Sequence, residues 1–272
     1  MSKTLLAIYA HPDDEAFGTG GTLTHYAAAG HKVHLICATR GESGKITDPE
    51  IAADTDKATL REGELQASCE AMGINMPVFL DYHDSGRQER TRFDDPKALM
   101  NVDELDLEQT LLTHIADIKP DIILTFDPHG IYGHIDHIKI HRAATAAFWS
   151  AGGVVDPAPQ RLFYGAMAAK QMKKMQELRE SSPLAELDAD LYGVTEASFA
   201  AVIDVREYAK QKEAAVRAHR SQVGPSSSFA GMNDEAEKDV WDEMFTRETF
   251  TLGGLRGAFP AMPVDDLLAG ML

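Results

Sequence analysis

The feature that most restricts the fold is the run Thr4 to Ala10 (TLLAIYA), apolar at nearly every position and followed at once by His11-Pro12-Asp13-Asp14. A strand apolar on both faces must be covered on both sides, the condition of a strand inside a parallel sheet. Asp14 to Ala29 reads as a helix, Gly30 is its stop signal, and His31 to Thr39 is a second strand, so the chain opens on a βαβ unit. Residues 40 to 57, rich in Gly, Ser, Asp and Pro, are a loop before a helix from about Ala58 to Met72. Met76 to Asp81 is a third strand, Leu105 to Ile118 a helix stopped by Lys119-Pro120, and Asp121 to Phe126 a fourth strand. A helix is expected from about Asp136 to Trp149, then a linker from Gly152 to Pro159. Strands are expected at Arg161 to Ala166 and Phe199 to Val205, and a long helix between Glu207 and Arg220. This alternation predicts an α/β fold: a doubly wound, mostly parallel sheet with helices on both faces, formed by residues 1–272 as a single domain.

Ligands of such sheets gather beyond the carboxyl ends of the strands. His11 follows the first strand there, and Gly133-His134-Ile135-Asp136-His137 follows the fourth after a short loop, so two distant stretches can meet at one rim. A catalytic zinc site takes three nitrogen or carboxylate ligands and keeps a fourth position open. His11, Asp14 and His137 can supply that set. Asp13, between two ligands but projecting differently, is placed as the general base for a water acidified by the cation. His134 and His137, at i and i+3, share one side of a helical turn. With His137 on the metal, His134 is left as imidazolium to stabilise an oxyanion or protonate a leaving amine. Asp136 can fix the tautomer of one imidazole, and Tyr132 offers a further donor. Together these describe metal-assisted hydrolysis of an amide.

Simpler readings exist for each part. His-Pro-Asp-Asp alone is also a turn with a helix N-cap, and His134, Asp136 and His137 alone are also a solvated helix start. His137 and His141 form a His-x-x-x-His pair, but Ile138 stands where a zinc protease has its glutamate. His25, His31, His34, His83, His114 and His219 show no partner pattern and are taken as non-functional. A dinucleotide site would need Gly-x-Gly-x-x-Gly after the first strand; Gly18, Gly20 and Gly21 come later, within the helix, as close-packing positions.

Composition narrows the class further. The chain has 272 residues, 44% of them hydrophobic, ample for a full core, and a formal charge of −17 that disfavours a nucleic-acid partner. No run approaches the roughly 18 apolar residues of a membrane span. Cys37 and Cys69 fall inside a strand and a helix and are expected as buried free thiols. With no signal-peptide pattern after Met1, a cytoplasmic location is expected, with no membrane partner.

The chain resembles the LmbE-like or PIG-L-like N-acetylglucosaminyl deacetylases through Ala10-His11-Pro12-Asp13-Asp14-Glu15 and Tyr132-Gly133-His134-Ile135-Asp136-His137. The likeness extends to Thr39-Arg40-Gly41-Glu42-Ser43-Gly44, Arg61-Glu62-x-Glu64-Leu65, Asp84-Ser85-Gly86 and Phe126-Asp127-Pro128, and more loosely to Ala218-His219-Arg220-Ser221-Gln222 and Asp265-Asp266-Leu267. It implies a Rossmann-like sheet, zinc on His11, Asp14 and His137, Asp13 as general base, and His134 at the tetrahedral intermediate. It further implies that Asp136 tunes His134, that Tyr132 assists at the oxyanion, and that Arg61 and Asp84 contact a sugar. The implied substrate is a small N-acyl amino sugar such as an N-acetylglucosaminide; the alternatives are an amidase of thiol S-conjugates or a non-catalytic metal- or sugar-binding protein. A His-His-Asp site also accepts Fe2+ or another divalent ion in place of Zn2+. Ile135, often Pro in the family, His129 in Asp127-Pro128-His129-Gly130, and the acidic loop Asp48 to Asp56 depart from the pattern and bear on the substrate, with His129 a candidate substrate contact. A homo-oligomer is compatible with all of this.

Overall fold

The computed structural model describes residues 2–178, 184–225, 227 and 238–271. Its centre is a seven-stranded sheet in the order β3-β2-β1-β4-β5-β7-β6. The strands are β1 (Thr4–Tyr9), β2 (Lys32–Thr39), β3 (Val78–Tyr82), β4 (Ile122–Thr125), β5 (Arg161–Gly165), β6 (Ala201–Asp204) and β7 (Arg247–Leu255). β1, β2, β3, β4 and β5 run parallel, and β7 lies antiparallel between β5 and β6. The doubly wound α/β expectation is met. Leu5, Leu6, Ala7 and Ile8 of β1 are fully buried, as the apolar run requires of a strand covered on both faces.

The helices are α1 (Asp14–Ala28), α2 (Lys57–Met72), α3 (Glu104–Ile118), a single turn α4 (Gly130–Gly133), α5 (Ile135–Val154), α6 (Ala169–Leu178), α7 (Ala189–Tyr192), α8 (Ala209–Ala218) and α9 (Lys238–Thr246). Their ends follow local chemistry. Asp56 accepts a hydrogen bond from the Thr59 amide at the start of α2, and Gly73, at φ 69°, closes it. Asp103 likewise caps α3. Gly21 lets α1 approach the end of β6, since a Cβ there would lie 2.6 Å from the Val205 Cβ. Gly20 packs near Lys212, but nothing lies within 4 Å of a Cβ at Gly18, so close packing explains two of the three α1 glycines.

Several boundaries differ from expectation. α5 continues to Val154, through the expected start of a linker at Gly152, and the expected helix Glu207 to Arg220 is a 3-10 turn (Arg206–Tyr208) followed by α8. The periodicity did not predict α6, α7, α9 or β7. In β7 the pair Gly253-Gly254 reads as a turn. In the sheet these glycines clear space for rings: a Cβ at Gly253 would meet Tyr164 at 2.3 Å, and one at Gly254 would meet Phe148 at 2.4 Å. Cys37 and Cys69 are buried free thiols, as expected. Among the described residues no helix is long and apolar enough to cross a membrane.

Candidate active site

The sheet reverses its winding at β1, flanked by β2 and β4, and the two strong motifs meet beyond the ends of β1 and β4. His11 and Asp14 come from the β1–α1 turn. His137 comes from the first turn of α5, brought there by a tight loop after β4. Asp127 folds that loop by accepting the amides of His129 (2.7 Å) and Ile131 (3.3 Å). Gly130 is required at the next step: its φ is 59°, and a Cβ on it would lie 2.6 Å from the His137 Cβ. The Phe126 ring stacks on His137 with centroids 4.1 Å apart and planes within 9°, fixing the imidazole.

The donor groups of three residues converge. His11 Nδ1 is 3.1 Å from His137 Nε2 and 3.6 Å from Asp14 Oδ2, and His137 Nε2 is 3.3 Å from Asp14 Oδ1. Ligands bound at ~2.1 Å in a tetrahedron stand about 3.4 Å apart, so the residues present fit a small divalent cation. The other ring nitrogens are engaged. His137 Nδ1 donates to the Gly130 carbonyl (3.2 Å) and His11 Nε2 to Asp136 Oδ2 (3.1 Å). In the neutral forms these partners assign, two imidazole lone pairs and a carboxylate face one another, an arrangement that calls for a cation. His11, His134 and His137 form one cluster of nitrogens, and His11, Asp84, His134 and Asp136 a second group at its edge.

The electrostatics agree. Burial opposes charge on His11, but Asp84, Asp136 and Asp14 outweigh it and hold its pKa well above the usual value. Burial lowers His137 to about 4 despite Asp14. Burial, with His11 and His137 as charged neighbours, takes His134 down to about 2. Thus a single positive charge is favoured among the three imidazoles, and a bound cation would replace it. Burial pushes Asp14 up, yet His137 and His11 bring it down to about 2, ionised and ready to ligate.

Asp13 stands at the N-cap of α1 with φ 121° and makes no side-chain cap. Its carboxylate turns instead to Arg61 Nη2 at 3.0 Å. Burial raises its pKa to about 7 against the opposing pull of Arg61. Arg61 is only 4% exposed and also donates to the carbonyls of Gly41 (2.7 Å) and Pro12. Gly41 permits that approach, because a Cβ there would lie 2.0 Å from Arg61 Nη1. Asp84 is equally built in, accepting from the amides of Ser43 (3.0 Å) and Gly86 (2.8 Å) and lying 3.4 Å from His11 Nε2.

Two residues sit differently from expectation. The Asp136 carboxylate faces His11 and the Ser85 amide (2.9 Å) rather than His134, with Oδ1 buried and unpartnered. It meets His134 only through its backbone, whose N–H donates to His134 Nδ1 at 3.2 Å as the N-cap bond of α5. That bond occupies the Nδ1 lone pair, so His134 carries its proton on Nε2 as a neutral donor, not as an imidazolium. His129 is exposed, with its ring 5.0 Å from Tyr192 and outside the nitrogen cluster. Tyr132 lies over the site, its ring 5.0 Å from His137 and under the Arg87 guanidinium at 4.9 Å. Burial raises its pKa, so it remains a phenol donor. His141 turns away, with Nδ1 bonded to the Phe126 carbonyl at 2.8 Å.

Sequence reasoning gave Glu15 no role of its own and took His219 as non-functional. Both are buried, and they meet at 2.7 Å across 204 residues of chain. Glu15 carried a signal, a charged residue at the start of an otherwise buried helix face; His219 carried none beyond the loose Ala-His-Arg-Ser-Gln likeness.

Comparison with known proteins gives a consistent picture. The chain is 32% identical over 296 residues to the 1D-myo-inositol 2-acetamido-2-deoxy-alpha-D-glucopyranoside deacetylase of Geodermatophilus obscurus, covering 99% of this chain and 98% of that protein. Its fold is similar to that of N,N'-diacetylchitobiose deacetylase from Pyrococcus horikoshii, with TM-score 0.63, 19% identity, and 92% and 84% of the two chains covered. GalB, a 4-carboxy-2-hydroxymuconate hydratase from Pseudomonas putida KT2440, is also similar, with TM-score 0.60, 18% identity, and 95% and 99% covered. At those identities the likeness is one of fold, and a fold shared with a hydratase does not by itself name a reaction. The model of the PIG-L family, GlcNAc-PI de-N-acetylase, matches residues 6–148, a span that holds both halves of the donor cluster. By that match and by its near full-length likeness to the inositol glycoside deacetylase, this chain belongs to the PIG-L family.

Proposed function

We propose that the chain, acting as one domain over residues 1–272, is a metal-dependent deacetylase that hydrolyses the N-acyl amide of a small N-acetylglucosamine-type substrate. The observation that carries this reading is the convergence of His11 Nδ1, His137 Nε2 and the Asp14 carboxylate within 3.1 to 3.6 Å, with the unused N-cap carboxylate of Asp13 beside them. His11, Asp14 and His137 would hold the ion, and zinc suits their two imidazoles and one carboxylate. Held there, a divalent cation would supply Lewis acidity toward the acyl carbonyl and the attacking water. Asp13, whose ionised form Arg61 favours, takes a proton from the attacking water and returns it to the departing amine. His134 Nε2–H and the Tyr132 hydroxyl donate to the developing oxyanion. Asp136 and Asp84 orient His11 from behind, as carboxylates behind metal-bound imidazoles do. Arg61, Asp84 and His129 remain the candidate substrate contacts, the first two through whatever donor or acceptor capacity the protein leaves them.

The substrate class rests on the inositol glycoside deacetylase, 98% of which this chain matches. The test is amine release from N-acetylglucosaminides, including the inositol glycoside, by metal-loaded protein. Asp13→Ala should abolish turnover while keeping metal, and His137→Ala should lose the metal. Full activity in the first variant, or full metal content in the second, overturns the corresponding role.

A further inference from the structure

Asp13 is the exception among the aspartates that stand at helix N-caps in the described residues. Asp56, Asp103 and Asp188, at the N-caps of α2, α3 and α7, each accept an amide of the first turn, whereas Asp13 accepts none and adopts φ 121°, outside the usual range for a residue with a side chain. A forgone cap and a left-handed φ both cost stability, so something must hold this conformation. The holding group is Glu15. Its Oε2 accepts the Asp13 amide at 3.0 Å, securing the peptide while the carboxylate is turned to Arg61.

Glu15 is itself 1% exposed and has no Lys or Arg partner among the described residues. Its Oε1 accepts from Ser68 of α2 and from His219 Nε2 at 2.7 Å. His219 is completely buried at the end of α8, and its Nδ1 has no hydrogen-bond partner. A buried imidazole with one nitrogen unsatisfied is a cost that the Glu15 contact has to justify. Both acceptor oxygens of Glu15 are thereby committed, one toward Asp13 and one toward His219 and Ser68.

We infer that Glu15 and His219 are positioning residues that set the Asp13 carboxylate: His219 and Ser68 orient Glu15, and Glu15 fixes the Asp13 peptide so that its side chain is withdrawn from capping and presented to the site. His219 lies outside residues 6–148, so the second half of the chain completes the site set up by the first. The inference rests on Asp13 being the general base of the proposed reaction.

The experiment compares His219→Ala, which removes the donor, with His219→Gln, which restores an N–H near the position of Nε2. Misplacing a catalytic group by about 1 Å costs about a hundredfold, so the Ala variant should lose about that in kcat with KM within about twofold and metal content unchanged. The Gln variant should recover at least about tenfold of the loss. A purely structural role predicts instead a lower melting temperature with normal kcat per metal-loaded molecule, and that result overturns the inference. If the Ala variant does not fold, Glu15→Gln is decisive. Gln has a single acceptor oxygen and cannot serve both partners, so wild-type kcat in that variant refutes the idea. Hydrogen exchange at the Asp13 amide in metal-free protein reads the same contact without turnover. It should quicken about tenfold or more in His219→Ala, and unchanged protection overturns the inference. Should the wild type release no amine from any N-acyl amino sugar, the deacetylase reading falls, while the exchange measurement still decides the role of Glu15 and His219.

Discussion

Replacing Arg61 by Met tests how the proposed base is kept ionised. In the wild type, Arg61 Nη2 lies 3.0 Å from Asp13 Oδ2, with the two side chains 5% and 19% exposed. At an effective dielectric constant near 20, that separation corresponds to about 5–6 kcal/mol of attraction before desolvation is subtracted. Neighbouring arginines lower carboxylate pKa values by roughly 1–3 units, or about 1.4–4 kcal/mol. Burial has already raised Asp13 to about 7 with Arg61 in place. Without the guanidinium it should rise to roughly 8–10. The sign follows from the role: a base works when ionised, so the rise of kcat/KM with pH moves to more alkaline pH in the variant. At pH 7 the ionised fraction falls from about one half to about a tenth or less, and the lost activity returns as pH is raised. A bound cation lowers the Asp13 pKa in both proteins, so the displacement between their profiles is the quantity to measure. The assay is the pH dependence of kcat/KM for amine release, with metal content checked at each pH. An acid limb within about 0.3 units of wild type, with only KM increased, refutes the argument and leaves Arg61 as a sugar contact.

Four further outcomes are expected. Glu248→Gln strands the Lys212 ammonium, paired at 2.7 Å with both side chains at most 2% exposed, and weakens acceptors for the Gly21 and Thr22 amides; urea unfolding should show a loss of about 3–5 kcal/mol, and a loss below about 1 contradicts the buried pair. Gly21→Ala puts a Cβ 2.6 Å from that of Val205 and should destabilise by about 1–3 kcal/mol in the same assay, with no effect if α1 moves freely. Zinc at about 100 times its Kd should raise the apparent stability of metal-free wild type by about 2.7 kcal/mol in thermal melts and leave His137→Ala unmoved; equal shifts in both proteins place the ion elsewhere. Asp136→Asn, which weakens the acceptor behind His11 Nε2, should reduce metal affinity about 10–100-fold by calorimetric titration, and wild-type affinity means that His11 is oriented by Asp84 alone.

Much of this molecule was legible in local sequence. The nearly continuous apolar run of β1 together with the regular alternation of helices and strands named a parallel sheet, because helices between strands cover both faces of the sheet they connect. Positions at the ends of β1 and β4 then predicted which side chains meet. The strand-to-helix turn at His11 to Asp14 and the helical i, i+3 spacing of His134 and His137 are short-range geometries that a few residues determine. β7 was not legible: its glycines signal a turn, and only the rings of Tyr164 and Phe148 pressing on the strand explain them. α6 and α9 were not read from the sequence either, and α7 is a single turn of four residues, too brief to show a period.

The residue types of the donor cluster, and the Asp beside it, were therefore determined by the sequence alone. Which partner each one takes was decided by tertiary structure. The Asp136 carboxylate reaches His11 on another strand end rather than His134 two residues away, because the α5 N-cap already uses the His134 Nδ1 lone pair. Arg61 reaches Asp13 because Gly41 leaves room for its guanidinium. Glu15 finds His219 across 204 residues because α8 docks beside α1 and α2. Local sequence fixes backbone turns and the chemistry they display, whereas hydrogen-bond partners inside a packed core are chosen by distances that exist only once remote segments have closed on one another.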